Sequence, residues 1–206
     1  MATEPSNSAW QRVPELRGAH VLLEPLQIGH ADGLRDAVRD GELWNLRYTN
    51  VPQPEQVDAY IGKALAQQCA GDALAFAVRT AGGDLVGTTR FYHLDPATPR
   101  LTIGYTWYAK RVQRTGLNIE AKLLLLTHAF ETMGCIAVAF ETSTENHASR
   151  TAIARLGARQ DGVLRSHMRH KDGSVRDTVA FSILQTEWPS VKQGLRARLE
   201  EHRDVR

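Results

Sequence analysis

The chain has 206 residues, enough for one domain with a sizeable core. Its 25 Lys and Arg against 23 Asp and Glu leave a net charge of +2, which gives no electrostatic case for a nucleic-acid partner. Cys69 and Cys135 stand far apart without metal or redox spacing, the N-terminus has no apolar stretch of signal-peptide length, and no run approaches the ~20 apolar residues that span a bilayer. The expectation is a reduced, cytoplasmic protein with no membrane partner.

Residues 1–17 are polar and broken by proline, and read as a flexible lead-in to a single domain over 18–206. Residues 20–26 (HVLLEPL) read as a strand, and 29–40 as a short helix with Ala31, Leu34 and Val38 on one side. The loop 41–54 carries Trp44 and Tyr48. Pro54 suits the first position of a helix that continues with Val57, Ile61 and Leu65 spaced four apart. Residues 74–80 and 84–93 read as strands joined at Gly82-Gly83, where both residues tolerate positive φ. Residues 101–109 (LTIGYTWYA) form a β-branched and aromatic run, a further strand. A polar turn with one glycine, 110–118, leads into IEAKLLLLTHAFETM. There Ala121, Leu124, Leu125, His128 and Ala129 recur at helical spacing. Residues 135–142 read as a strand and 146–156 as a helix stopped by Gly157. Residues 163–170 and 175–184 read as a second hairpin, and a charged helix begins near Pro189. Strands and helices in this order predict a mixed α/β sheet, with no internal repeat.

The stretch 101–133 organises the reading. Strand, tight turn, helix presents free backbone N–H groups and a positive helix end to an anion. Gly116 permits close backbone approach to a ligand. Residues 112–118 are therefore a candidate cradle for the pyrophosphate of a CoA thioester. An ordinary solvated turn fits the same residues, since neither a Walker loop nor dinucleotide glycine spacing is present.

Gln113-Arg114-Thr115-Gly116-Leu117-Asn118 resembles the Gln/Arg-x-x-Gly-x-Gly/Ala signature of GCN5-related N-acetyltransferases, with Asn118 departing at the last position. Asn118 followed by Glu120-Ala121-Lys122 is similar to the RimJ/RimL-type branch. The resemblance runs from about residue 20 to 188. It implies an acyl-CoA N-acyltransferase fold whose fourth and fifth strands, here 101–109 and 135–142, splay apart to admit the pantetheine arm. It implies acetyl-CoA as co-substrate, no metal, and a primary amine acceptor, either a protein N-terminus or a small molecule. The resemblance assigns the cofactor to Tyr108, Ala109 and Lys110, to the loop residues Val112, Gln113, Arg114, Thr115, Gly116, Leu117 and Asn118, and to Asn146 and Ser149. RimL-type relatives are often dimers, so a homodimer belongs to the same expectation.

Acetyl transfer to an amine is mostly positioning plus a polarised carbonyl, and the resemblance takes the N–H donor from 107–109. An α-amine, with pKa ≈ 7.7–8.0, is neutral in roughly a tenth of molecules at pH 7, and a lysine amine in about one of a few thousand. Glu141, near a strand end, is the candidate base, and a surface carboxylate is its alternative. His147 is a second candidate. Glu120 in the first helical turn suits the dipole and reads as structural. The tyrosine acid of many relatives is replaced here by Ile153, and the resemblance offers Ser149 in its place at the sulfur. Asn146 fits either a pantetheine contact or a helix cap. Trp44 and Tyr48 either dock onto the core, as large loop aromatics usually do, or wall the acceptor cleft, as the resemblance implies. Arg176 and Asp177 read as a structural pair, with an acceptor-binding role as the alternative. No histidine group reads as a metal site, since His167 and His170 point to opposite faces of a strand, and no Ser-His-Asp group stands out. A non-catalytic acyl-CoA sensor or scaffold with the same fold is the alternative function, and a partner adaptor using the tail is a third.

Overall fold

The structure, a computed structural model, describes residues 7–204. Its elements are β1 (Leu16–Arg17), β2 (Val21–Pro25), α1 (Ala31–Arg39), α2 (Val57–Cys69), β3 (Ala73–Thr80), β4 (Leu85–Asp95), β5 (Arg100–Tyr108), α3 (Gly116–Thr127), β6 (Ala137–Ser143), α4 (His147–Arg155), β7 (Arg159–Arg169), β8 (Val175–Leu184) and α5 (Trp188–Asp204). The strands make one sheet in the order β1-β2-β3-β4-β5-β6-β8-β7. Every neighbouring pair is antiparallel except β5 and β6. This is the expected mixed α/β architecture with β1 added.

The lead-in differs from its expectation over the described part. Trp10 is buried, and β1 pairs with β2 at Leu16↔Leu23. A two-residue strand carries too little pattern to read from sequence. Residues 1–6 lie outside the described residues.

β3 is buried along both faces from Ala73 to Val78, which requires cover on each side of the sheet. One layer pairs α1 with α2; the other pairs α3 with α5. Wedged between sheet and α5, α3 buries Leu117, Ala121 and Leu125, and Glu120 and Lys122 as well. The expected amphipathic stripe is thus too narrow a description. The tail helix is a core element: Trp188 stacks on Phe130 at 5.2 Å, its Nε1 donates to Glu131 Oε1 at 2.8 Å, and Leu195 is buried. No helix among the described residues is long and apolar enough to cross a membrane.

The helical run 116–133 ends in a π-turn, His128–Thr132. His128 stacks on Phe91 at 6.3 Å, and its Nε2 is buried without a partner among the described residues. Burial lowers its pKa, so it packs as a neutral ring. Between that lowered value and the unfolded one the unfolded chain binds the extra proton, so stability is lost as pH falls below about 6.5. His128→Phe is expected to flatten the fall in urea midpoint between pH 7 and pH 5; an unchanged slope would assign the acid sensitivity elsewhere.

Candidate active site

β5 and β6 run parallel and pair only at Arg100↔Ala137, Leu101↔Val138 and Thr102↔Ala139. Beyond that they part, and a cleft of about 410 Å³ opens between Ile103–Tyr108 on one side and Phe140–Ser143 on the other. A bulge steers β5 away. Thr88 pairs with Trp107 and Arg90 with Gly104, so Tyr105 and Thr106 face Thr89 alone, with Tyr105 at φ 50°. Thr106 Oγ1 bonds Thr89 Oγ1 at 2.8 Å and pins the bulge.

The oxyanion donor can be narrowed by the ladder. Ala109 N–H donates to Val86 O at 2.7 Å, so it is spent. In the alternation of an antiparallel pair the preceding residue, Tyr108, then turns its N–H away from β4. That leaves Tyr108 N–H directed to the open side, where a thioester carbonyl would lie.

The loop to α3 is more selective than the expected 112–118 cradle. Val112 N–H and Gln113 N–H close a short turn onto Ala109 O and Lys110 O, and Lys110 N–H donates to Asp40 O. Thr115 Oγ1 caps α3 through Leu117 N at 3.3 Å and donates to Val112 O. The amides of Arg114, Thr115 and Gly116 have no protein partner among the described residues. They stand at the positive end of α3, a geometry that suits an anion. Gly116 also has a packing neighbour that the sequence does not show. A Cβ there would meet Leu199 and His202 of α5 at 3.3 and 3.6 Å, so the missing side chain serves helix packing. The left-handed residue of the loop is Arg114, at φ 61°.

Tyr108, Gln113, Arg114 and Asn118 line the cleft, as do Asn146, Ser149, Glu141 and Tyr48. Gln113 Nε2 donates to Tyr108 O at 2.9 Å and ties loop to strand. Asn146 is the N-cap of α4, accepting Ser149 N–H on Oδ1 at 3.0 Å, which leaves its amide group for a ligand. Six expected ligand residues lie off the cleft: Ala109 and Leu117 are core, Lys110, Val112 and Thr115 build the turn, and Gly116 opens α3. Trp44 is likewise off it; the half-buried ring packs on the core, and Leu43 and Leu46 form that wall. His147 is exposed outside the cleft, which removes it as a base. Glu120 is structural by a stronger route than the dipole. Its carboxylate accepts the N–H groups of Ala19, His20 and Val21 at 2.8, 2.6 and 3.0 Å.

Two further groups stand on the cleft, of which Arg176 fits the acceptor-side alternative and Lys122 escapes the sequence reading. Arg176 and Asp177 are no pair, because neighbours on a strand face opposite ways. Asp177 accepts Ser166 N–H at 2.7 Å, whereas Arg176 lines the cleft with Glu141 and has a buried, unpartnered Nε. Burial lowers the Arg176 pKa against the pull of Tyr92 and Glu141. Tyr92 OH points to Glu141 Oε2 at 3.5 Å, and burial, then the Glu141 charge, pushes its pKa up. Lys122 lines the cleft as a buried ammonium whose one bond is to Thr106 Oγ1, 2.9 Å. Among the described residues no group of three or more His, Cys, Asp or Glu could hold a metal ion.

A sheet split beside a helix N-terminus, with the strand bulged at the split, defines an acyl-CoA N-acyltransferase fold. Residues 20–159 match the acetyltransferase (GNAT) domain model, and the chain belongs to that family. It is 31% identical to a GCN5-related N-acetyltransferase from Brucella melitensis, covering 91% of this chain and 86% of that one with a TM-score of 0.81. The fold also matches Mycobacterium smegmatis RimJ in complex with CoA-disulfide, at 22% identity, 92% and 96% coverage, and a TM-score of 0.74. A Bacillus subtilis (strain 168) relative, the uncharacterized N-acetyltransferase YoaA, is 28% identical over 102 residues. That match spans half of this chain and 56% of YoaA.

Proposed function

We propose that the protein is a cytoplasmic, acetyl-CoA-dependent N-acetyltransferase of the RimJ/RimL-like branch, acting on a primary amine by direct attack in a ternary complex. The observation that carries it is the β5–β6 split, with three unpartnered amides at one end and Glu141 on its wall. The amides of Arg114, Thr115 and Gly116 hold the diphosphate. Tyr108 N–H polarises the acetyl carbonyl. Asn146 steadies the pantetheine arm. Ser149 steadies the departing thiolate with a hydrogen bond, and the thiolate takes its proton from solvent. Glu141 draws the first proton from the incoming ammonium through water, with Tyr48 on the acceptor wall. An α-amine asks least of such a base, so a protein N-terminus or a small amine of similar basicity is the acceptor class. A homodimer is part of the same reading.

Ile153, buried where relatives would carry a tyrosine, favours one other reading, a sensor that binds acyl-CoA without turnover. Free-thiol release from acetyl-CoA with a panel of peptides and polyamines separates the two. Amine-dependent thiol release is expected; tight acetyl-CoA binding with no release from any acceptor supports the sensor. Ser149→Ala is expected to lower kcat by about 10–100-fold, with the KM for acetyl-CoA little changed. Unchanged turnover removes Ser149 from the chemistry.

A further inference from the structure

The cleft wall ends in a polar chain that the roles above leave unused. Ser143 closes β6 and lines the cleft. Its Oγ lies 3.0 Å from His170 Nε2. His170 Nδ1 lies 3.1 Å from Ser174 Oγ, and Ser174 Oγ donates to Asp172 Oδ1 at 2.6 Å. Ser143 and His170 are 1% and 7% exposed. The topology brings them together: β6 pairs β8, β8 pairs β7, and the turn between β7 and β8 holds the rest.

The direction of each bond follows from its neighbour. Bonds from the Ser174 hydroxyl and then its amide hold the Asp172 carboxyl below the usual carboxylate range, so it is an acceptor at neutral pH. The Ser174 hydroxyl proton is spent there, so Ser174 Oγ accepts from His170 Nδ1–H. A neutral imidazole protonated at Nδ1 has a bare Nε2, and the Ser143 hydroxyl donates to it. Ser143 Oγ also accepts Glu145 N–H at 3.2 Å, which leaves one lone pair for a donor in the cleft. The surrounding charges are accounted for. Arg47 pairs with Glu145 at 2.7 Å and Asp172 at 3.5 Å, Lys171 Nζ donates to the carbonyls of Trp44 and Val51, and Glu141 and Arg176 stand on the cleft side.

We propose that Ser143 and His170 form the proton exit for the second proton of the acceptor amine. It rests on the acetyl-transfer reading of the cleft. An ammonium must lose two protons to become an amide. Glu141 takes the first. Glu141 and Ser143 are two apart on β6 and share a face, so both meet the same nitrogen. As the N–C bond forms and the C–S bond breaks, the nitrogen gives its second proton to Ser143 Oγ while the Ser143 proton passes to His170 Nε2. The imidazolium then releases its proton to solvent beside Asp172. Ser143 touches the substrate; His170 is a positioning residue that acts through it.

Ser143→Ala, His170→Asn and the double variant test this in steady-state assays. Each single change is expected to lower kcat about 100-fold, with the double no worse than the poorer single, as for groups that act as a unit. Asp172→Asn, on an exposed turn where folding is not at stake, is expected to lower kcat about 10-fold. A proton inventory in mixed light and heavy water should curve for the parent and straighten for His170→Asn. Additive losses, a near-normal kcat in the single variants, or an acetyl group trapped on Ser143 would overturn the relay. Long-range proton–nitrogen NMR of labelled histidine reads the resting protein without any acceptor. It should find Nδ1–H on His170, and Nε2–H would overturn the relay even if no amine were acetylated. Failure of every amine to release CoA instead removes the acetyl-transfer reading.

Discussion

Glu120→Ala is expected to cost about 3–5 kcal/mol of unfolding free energy, the largest loss from any single surface or loop contact in this chain. The carboxylate is buried at 5% exposure and accepts three successive amides where the chain turns from β1 into β2. Gly18 leaves room for it, since a Cβ there would collide with the carboxyl group. Alanine deprives three donors of their acceptor, and each one that stays out of water costs about 1–3 kcal/mol before relaxation. For a domain of this size each kcal/mol moves Tm by about 2–4 °C, so a fall of roughly 6–20 °C is expected in thermal unfolding. Glu120→Gln should fall between, because one oxygen still accepts while the new amide group faces donors. A loss under about 1 kcal/mol for alanine would mean that the β1–β2 turn opens without consequence to the sheet.

That example shows what the sequence carried. Period and turn residues placed all the long strands and helices, because α/β patterning, the Gly82-Gly83 turn and Gly157 are local signals. Gly83 and Gly157 do sit at positive φ, 95° and 97°. The family resemblance located the split between 101–109 and 135–142, and the structure opens the sheet there. What escaped was pairing across the chain. Glu120 finds its amides about a hundred residues away, and Ser143 finds His170 across 27 residues of helix and strand. Neither spacing leaves a mark on local pattern. Gly116 reads as a ligand contact through the family resemblance, and its packing against Leu199 and His202 of α5, near residue 200, leaves no mark on the local sequence. The same long-range packing hid Lys122, which at helical spacing reads as a solvated position until β5 packs against it.

Lys122→Met is expected to stabilise the protein by about 1–4 kcal/mol at pH 6, the gain seen when a buried charge is exchanged for an apolar side chain of similar length. Lys122 is 6% exposed, has no carboxylate partner, and makes its one hydrogen bond to Thr106 Oγ1. Burial brings its pKa down to about 7. Below that value both folded and unfolded chains hold the proton, and the folded state carries the whole cost of a desolvated ammonium. Between about 7 and 10.5 the unfolded chain keeps a proton that the folded one has released, so the parent gains stability as pH rises. Methionine removes that dependence. The advantage of the variant should therefore be greatest at pH 6 and shrink toward pH 10, read as urea midpoints across a pH series. A variant less stable than the parent at pH 6 would mean that the ammonium reaches cleft water. The desolvation argument would then fail, and with it the reading of Lys122 as a cation held out of water beside the β5 bulge.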